Sequence, residues 1–184
     1  ICACLVGSEM CIRDRAYVMM AFRIAWFKVY HPLAFYAAYF SIRAKAFDLR
    51  IMTGDLKTQM TEFNRIKALD RGASPKDKDL MSALEVSMEM YQRGYRFVNV
   101  DIQHSEARRF SIKDGALLPP FLAIDSLGET VADAIVAERE ERPFTSLKDL
   151  QRRCKVSNTI IDLMKELKCC GELPEDEQMS LFGA

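Results

Sequence analysis

The chain has 184 residues, 49% of them hydrophobic and 28% charged, and its 26 Lys and Arg are balanced by 26 Asp and Glu. Those values exclude a disordered, fibrous or strongly basic chain, and the length fits one large domain or two to three small ones. The neutrality is uneven, because residues 16–115 hold 16 Lys and Arg against 11 Asp and Glu while residues 116–184 hold 8 against 13. Any contact with nucleic acid must therefore be local.

Residues 1–15 have neither helical nor strand periodicity and lack the basic leader of a signal peptide. The run from Cys4 to Arg15 looks like translated adapter sequence, a non-native or assembly-derived segment, and is set aside from the fold. From Ala16 to Tyr30 the chain is apolar nearly all round, with Tyr17, Val18, Met19, Met20, Phe22, Ile24, Trp26, Phe27 and Val29. Arg23 and Lys28 interrupt the run, and charges within a membrane span cost about 2.5–3.5 kcal/mol each on insertion, so no membrane role is expected. Such a helix belongs in the interior of a larger protein.

His31-Pro32 ends that helix, and Pro32 opens another that runs to Arg43. A third helix is predicted from Asp55 to Arg71, stopping at Gly72. A fourth begins with Ser74 as N-cap, Pro75 at the first helical position and Asp77 in the first turn, and ends at Arg93 before Gly94. Its Leu80, Leu84, Met88 and Tyr91 form one expected buried stripe, and Met81, Met88 and Met90 read as core packing rather than a cofactor box. Asp77-Lys78-Asp79 reads as a solvated, capping helix start and not as a metal-binding pair.

Between Tyr95 and Phe121 the period changes. Tyr95 to Ile102 is rich in strand formers, and Arg109 to Leu118 with Asp114-Gly115 at its centre reads as a hairpin closed by a type I′ turn. Three short strands are expected, a small β insert ended by Pro119-Pro120. Helices then return. Ile124 to Arg139 reads as an apolar residue, a turn at Leu127-Gly128 and a helix carrying Val131, Ala132, Ile135 and Val136. A second helix–turn–helix spans Leu147 to Leu167 with its turn at Val156-Ser157-Asn158 and a cap at Thr145 or Ser146.

A helix, a tight glycine-containing turn and a second helix make a helix-hairpin-helix. Backbone N–H groups at the start of its second helix can bind phosphate oxygens of a duplex, which carries no sequence information. Glycine lets the phosphate come close. Here Ser126 stands where a first glycine is expected and Gly128 remains, so the candidate DNA contacts are Leu127, Gly128, Glu129 and Thr130. The second copy has no glycine in its turn, with Lys155 ahead of it, and reads as structural.

The chain ends with an acidic, proline-containing stretch, Glu172-Leu173-Pro174-Glu175-Asp176-Glu177, that reads as a solvated tether. Gln178, Met179, Ser180, Leu181 and Phe182 follow. Leu-Phe in such a place points to a pocket on another protein, with Gln178 at its rim. This pentapeptide resembles the sliding-clamp binding motif of bacterial replication proteins. The six cysteines, at 2, 4, 11, 154, 169 and 170, contain no Cys-x-x-Cys pair, so buried thiols in a reducing cytoplasm are expected rather than zinc or disulfides.

Taken in order, Ala16 to Leu33, Tyr36 to Ala44, Phe47-Asp48-Leu49, Arg93-Gly94-Tyr95, Leu118-Pro119-Pro120-Phe121, Leu127-Gly128-Glu129, Pro143-Phe144 and the Gln178–Phe182 tail resemble the C-terminal end of the PolC-type α subunit of bacterial DNA polymerase III. The resemblance implies a mainly α chain with a small β unit. Residues 16–92 would be the end of the fingers and the helices after it, 93–120 the β unit, 121–172 a tandem helix-hairpin-helix module and 173–184 a disordered clamp-binding tail. It implies double-stranded DNA, the sliding clamp and the remainder of the polymerase chain as partners. The palm aspartates that hold two magnesium ions, and the 3′–5′ exonuclease, would lie in that remainder. This segment would then hold no cofactor or metal and would not polymerise alone. Arg23 would be a contact for the triphosphate of an incoming nucleotide, or else a snorkelling cation. The rival reading is a stand-alone helix-hairpin-helix adaptor that binds DNA and the clamp.

Overall fold

The computed structural model describes residues 2–44, 46–171 and 173–176, with side chains from Arg13 onward except that of Arg71. The described chain is mainly helical: α1 (Cys2–Tyr30), α2 (Pro32–Ile42), α3 (Leu49–Met52), α4 (Leu56–Ala68) and α5 (Pro75–Gln92) precede a hairpin of β1 (Ser111–Lys113) and β2 (Ala116–Leu118). After a 3-10 turn at Phe121–Ala123 come α6 (Glu129–Glu141), α7 (Leu147–Cys154) and α8 (Asn158–Glu166).

α5 starts where its sequence demands. The Ser74 hydroxyl accepts from the Asp77 N–H at 3.1 Å and the Asp77 carboxylate accepts from the Ser74 N–H at 3.0 Å, a reciprocal capping box with Pro75 behind it. Gly94, at φ +89, ends the helix. The hairpin turn is as predicted, with Asp114 and Gly115 both at positive φ and Ile112 opposite Leu117.

Four local expectations are corrected. Residues 2–15 lie within α1; a helix satisfies its own backbone, so it needs no apolar periodicity to form. α5 buries Ala83, Leu84, Ser87, Met90 and Tyr91, while Leu80 and Met88 stay half-buried. The helix is rotated because α4 brings the fully buried Gln59 against Ser87. The third strand is only a bridge between Phe97 and Leu117, because the chain leaves the hairpin after two hydrogen bonds, Leu117 N–H to Arg96 C=O and Val98 N–H to Leu117 C=O. The root of the tail is not freely solvated: the N–H groups of Leu147 and Lys148 donate to the carbonyls of Pro174 and Glu175 at 2.9 and 3.3 Å. Lys165 pairs with Glu175 at 2.6 Å, and Lys148 pairs with Asp176.

Two cores result. Tyr36, Phe40, Met52, Ile66, Leu84, Met90, Phe97 and Leu117 form one between α2, α4, α5 and the hairpin. Val100, Ile102, Phe121, Ile124, Leu127, Ile135, Leu150 and Met164 form the other among α6, α7 and α8. α1 joins neither core along most of its length: Tyr17, Phe22, Trp26, Phe27 and Val29 are all exposed. Among the described residues no helix is long and apolar enough to cross a membrane.

The first core contains a polar knot. Gln59 donates to the Met52 carbonyl at 3.0 Å and accepts from the Ser87 hydroxyl at 2.7 Å, and the Tyr91 hydroxyl donates to the same carbonyl at 2.8 Å. Leaving a buried hydroxyl without its partner costs about 1–3 kcal/mol, whereas removing both partners costs far less. Gln59→Leu is therefore expected to destabilise the chain by that amount in urea denaturation, and Gln59→Leu/Ser87→Ala to recover most of the loss. A double variant no more stable than the single would show that the knot does not act as a unit.

Candidate nucleic-acid interface

The two helical hairpins repeat one backbone geometry at an offset of 29 residues, Ser126 corresponding to Lys155. Ser126 sits at φ +66 and Lys155 at φ +54, both in the left-handed region. Next come Leu127 and Val156, each buried in the same core. Gly128 (φ −75, ψ 156) and Ser157 (φ −71, ψ 155) are the N-caps of α6 and α8. The Gly128 carbonyl accepts from Val131 and Ala132 at 3.1 and 3.0 Å, and the Ser157 carbonyl accepts from Ile160 and Ile161 at 3.1 Å each. In each hairpin the N–H groups just after the cap have no acceptor inside their own helix and point along its axis. The second hairpin is thus as well formed for an anion as the first, although it has no glycine. The first differs in its opening, which is the 3-10 turn at Phe121–Ala123 and not a full helix.

Gly128 does not supply the positive φ; Ser126 does. A Cβ added at Gly128 would meet nothing within 4 Å, so the position is open space at the mouth of α6.

Charge separates the two hairpins. At the first, Glu129 is held by Arg108, with Nη1 2.8 Å from its carboxylate, while the rest of the Arg108 fork grips Asp133. The hydrogen bond from Arg108 holds the Asp133 carboxyl below its usual range. Two acids thus share one arginine, and Asp125 is exposed beside the turn. Lys155 and Arg152 stand exposed at the second hairpin, and Gln151 ties α7 to α8 by donating to Asn158.

The start of α7 is organised by Asp149, whose side chain is completely buried. Its N–H donates to the Ser146 hydroxyl at 3.1 Å, and its carboxylate accepts from the Thr145 N–H at 3.4 Å. Three guanidiniums reach it: Arg142 at 3.3 Å and Arg152 at 3.0 Å on Oδ1, and Arg153 at 3.4 Å on Oδ2. Burial works to raise the Asp149 pKa, but the bonds from Arg152, the Thr145 N–H and Arg153, with the charge of Arg142, outweigh it and hold the group below its ordinary value. Arg153 is itself mostly buried, pairing with Glu138 at 2.9 Å and lying 4.8 Å over the Phe144 ring. Neither Asp149 nor Arg108 stands out in the sequence reading. Ser146-x-x-Asp149 is a capping-box spacing, and Arg152 and Arg153 follow at i+3 and i+4, so the first of the two was within reach.

Other expected positions fall as follows. Leu127 is buried, and Gly128, Glu129 and Thr130 are exposed at the start of α6. Arg23 is exposed on α1 with Nη1 4.0 Å from the Met20 sulfur. Lys28 is structural, 2.6 Å from Glu89 and 5.2 Å over the Phe35 ring. Gln178, Met179, Ser180, Leu181 and Phe182 lie outside the described residues. Cys154, Cys169 and Cys170 are free, buried thiols whose pKa values burial pushes up to about 11, 12 and 11.

Residues 94–178 match the helix-hairpin-helix motif family. Over 167 residues, 91% of this chain, the sequence is 46% identical to the PolC-type DNA polymerase III of Caldanaerobacter subterraneus subsp. tengcongensis. Over 170 residues it is 48% identical to that of Streptococcus suis and 45% identical to that of Streptococcus pyogenes. The chain spans 12% of the length of these relatives.

A left-handed backbone costs a non-glycine residue about 1–2 kcal/mol, partly offset by the greater entropy that glycine loses on folding. Ser126→Gly and Lys155→Gly are each expected to raise stability by up to about 1 kcal/mol. Gly128→Ala should bring no gain, because alanine is a poor N-cap and the backbone there is unstrained. Thermal melts of the three variants check this, and a stabilising Gly128→Ala would contradict the assignment of the strained position.

Proposed function

The chain belongs to the PolC-type DNA polymerase III family, as a segment of it, and on that premise we propose that it grips duplex DNA without regard to sequence and anchors the enzyme to the sliding clamp. The observation that carries the DNA reading is the repeated hairpin geometry. Two helix N-termini presented in the same way can each take a phosphate through backbone N–H groups, at Glu129 and Thr130 in one and at Asn158 and Thr159 in the other. Contacts of this kind fix a protein on the duplex and ignore its sequence, as an enzyme moving along a template requires. Pairing of Glu129 with Arg108 lessens an obstacle to the first hairpin, although that arginine is shared with Asp133.

The whole enzyme's DNA synthesis, with its magnesium ions, would belong to the part of the protein outside this chain. Among the described residues no three His, Cys, Asp or Glu side chains converge as a metal site. Arg23 stays a proposed contact for the nucleotide triphosphate. The exposed apolar face of α1 favours an element covered by the remainder of the polymerase over a free-standing adaptor. Work in the cytoplasm, where replication takes place, fits the free thiols.

The clamp reading rests on Gln178-Met179-Ser180-Leu181-Phe182. Leu181 and Phe182 would fill a pocket and Gln178 would bond at its rim, while residues 173–176, paired to the start of α7, would fix the tail's point of departure.

Two measurements test these proposals. Anisotropy of a labelled duplex should show binding that weakens steeply with salt, and Gly128→Val should weaken it by putting a branched side chain in the open space the phosphate needs. A folded Gly128→Val protein that binds as well as wild type would remove the first hairpin from the interface. For the tail, burial of each apolar side chain is worth about 1.5–3 kcal/mol, so Leu181→Ala/Phe182→Ala in the peptide 173–184 should lower affinity for a bacterial sliding clamp by about a hundredfold or more. Equal affinity of the two peptides would sink the clamp role.

A further inference from the structure

We propose that Arg142 and Arg152 form a two-guanidinium clamp for one backbone phosphate of the bound duplex, and that Asp149 is the positioning residue that sets it. The inference rests on the duplex-binding reading and adds to it a site away from the hairpin N–H groups.

The geometry is specific. The Nη2 atoms of Arg142 and Arg152 lie 3.3 and 3.0 Å from the same Asp149 oxygen, Oδ1, so the two guanidiniums are held side by side. Each gives Asp149 one nitrogen, and the side chains remain 60% and 70% exposed, with the rest of each planar fork turned to solvent. The other oxygen, Oδ2, is served separately, by the mostly buried Arg153 and the Thr145 N–H. Arg153 is also bonded to Glu138 and to the Arg142 carbonyl, which fixes the residue at the foot of the clamp.

Structural need explains only part of the exposed pair. A buried carboxylate requires partners, and Arg153 with the Thr145 N–H supplies them at Oδ2, while either Arg142 or Arg152 alone would supply one at Oδ1. Exposed ion pairs add little, at most about 1 kcal/mol each, and bringing two guanidiniums together costs repulsion. In total three guanidiniums meet two carboxylates, Asp149 and Glu138, so positive charge is left over on the outward side. Two adjacent forks with surplus charge are the arrangement that binds a phosphate through several charge-assisted bonds. Arg152 is three residues before Lys155, on α7, the helix that leads into the second hairpin.

The test uses the full chain and a labelled duplex, with anisotropy read across a salt series. Arg142→Lys/Arg152→Lys keeps both charges and removes both forks; a clamp predicts about tenfold weaker binding, a diffuse field of charge predicts none. Arg142→Gln/Arg152→Gln should in addition make the slope of log K against log salt less steep by about 0.9, the loss of one phosphate contact. Asp149→Asn adds one positive charge yet releases the pair, so it should bind more weakly than wild type, whereas charge alone predicts tighter binding. Circular dichroism decides whether that variant folds, and the two lysine substitutions on the surface carry the test if it does not. Wild-type affinity and slope in the double variants would overturn the clamp and leave the hairpin reading intact. A wild-type chain that binds no duplex at low salt would overturn both.

Discussion

The stretch from Phe97 to Ile102 is the constraint on which the arrangement depends. Phe97 is buried in the first core, where its ring lies 4.9 Å from that of Phe40, while Val100 and Ile102 are buried in the second. Between them the backbone is held at each step. Val98 donates to Leu117, the Asn99 side chain donates to the Leu167 carbonyl, and Ile102 donates to the Cys169 carbonyl at 3.1 Å. Arg139 closes the far end by donating to the carbonyls of Ile102 and Ser105 at 3.0 and 2.9 Å. A short extended segment thus fastens the helical hairpins to the bundle of α2, α4 and α5. The same contacts explain why it never becomes a third strand: its donors and acceptors are spent on two different partners, and a sheet would need them all on one.

What the sequence discloses is what local chemistry decides. Ser74, Pro75 and Asp77 specify the start of α5 within four residues, and Asp114-Gly115 specifies the turn within two, so both are read correctly without the rest of the chain. The boundaries of α6 and α8 follow from the same kind of signal. The features that escape depend on residues far apart. Arg108 reaches Glu129 and Asp133 only because the β unit folds back beside α6, and the face that α5 buries is settled by Gln59 on another helix. The backbone of the second hairpin escapes for a different reason. Absence of glycine suggests the wrong backbone, yet Lys155 takes the left-handed conformation, as Ser126 does in the first, since burial of Val156 and Leu127 fixes the chain on either side.

The acidic balance of residues 116–184 looks unsuited to DNA only while charges are summed. Among the described residues seven of those thirteen acids are paired, Glu166 with Arg50 being one. Glu129 and Asp133 are held by Arg108, Glu138 and Asp149 by Arg153, Glu175 by Lys165 and Asp176 by Lys148. Several of these pairs are exposed and add little to stability. Their effect is on the field, because a paired carboxylate repels a phosphate within a Debye length, about 8 Å at physiological salt, less than a bare one does. What is left facing outward includes the exposed forks of Arg142 and Arg152, which share one Asp149 oxygen, and the exposed Lys155.

α1 poses the opposite problem, since its apolar side chains are the ones left unmatched. Its end near Tyr30 is fastened by Lys28 to Glu89 and over the Phe35 ring, and by Arg93 to the Lys28 carbonyl at 3.4 Å. Upstream of that point Trp26, Phe22, Met19 and Tyr17 are all exposed. Isolated apolar side chains on a surface need no explanation, but a contiguous helix of them does. The chain spans 12% of the length of its PolC-type relatives, and a helix of this kind is covered in a larger protein by another part of it. The polar attachment at Lys28 then has a use of its own. It ties α1 to α5 through a charged side chain rather than through the exposed Tyr17, Phe22 and Trp26.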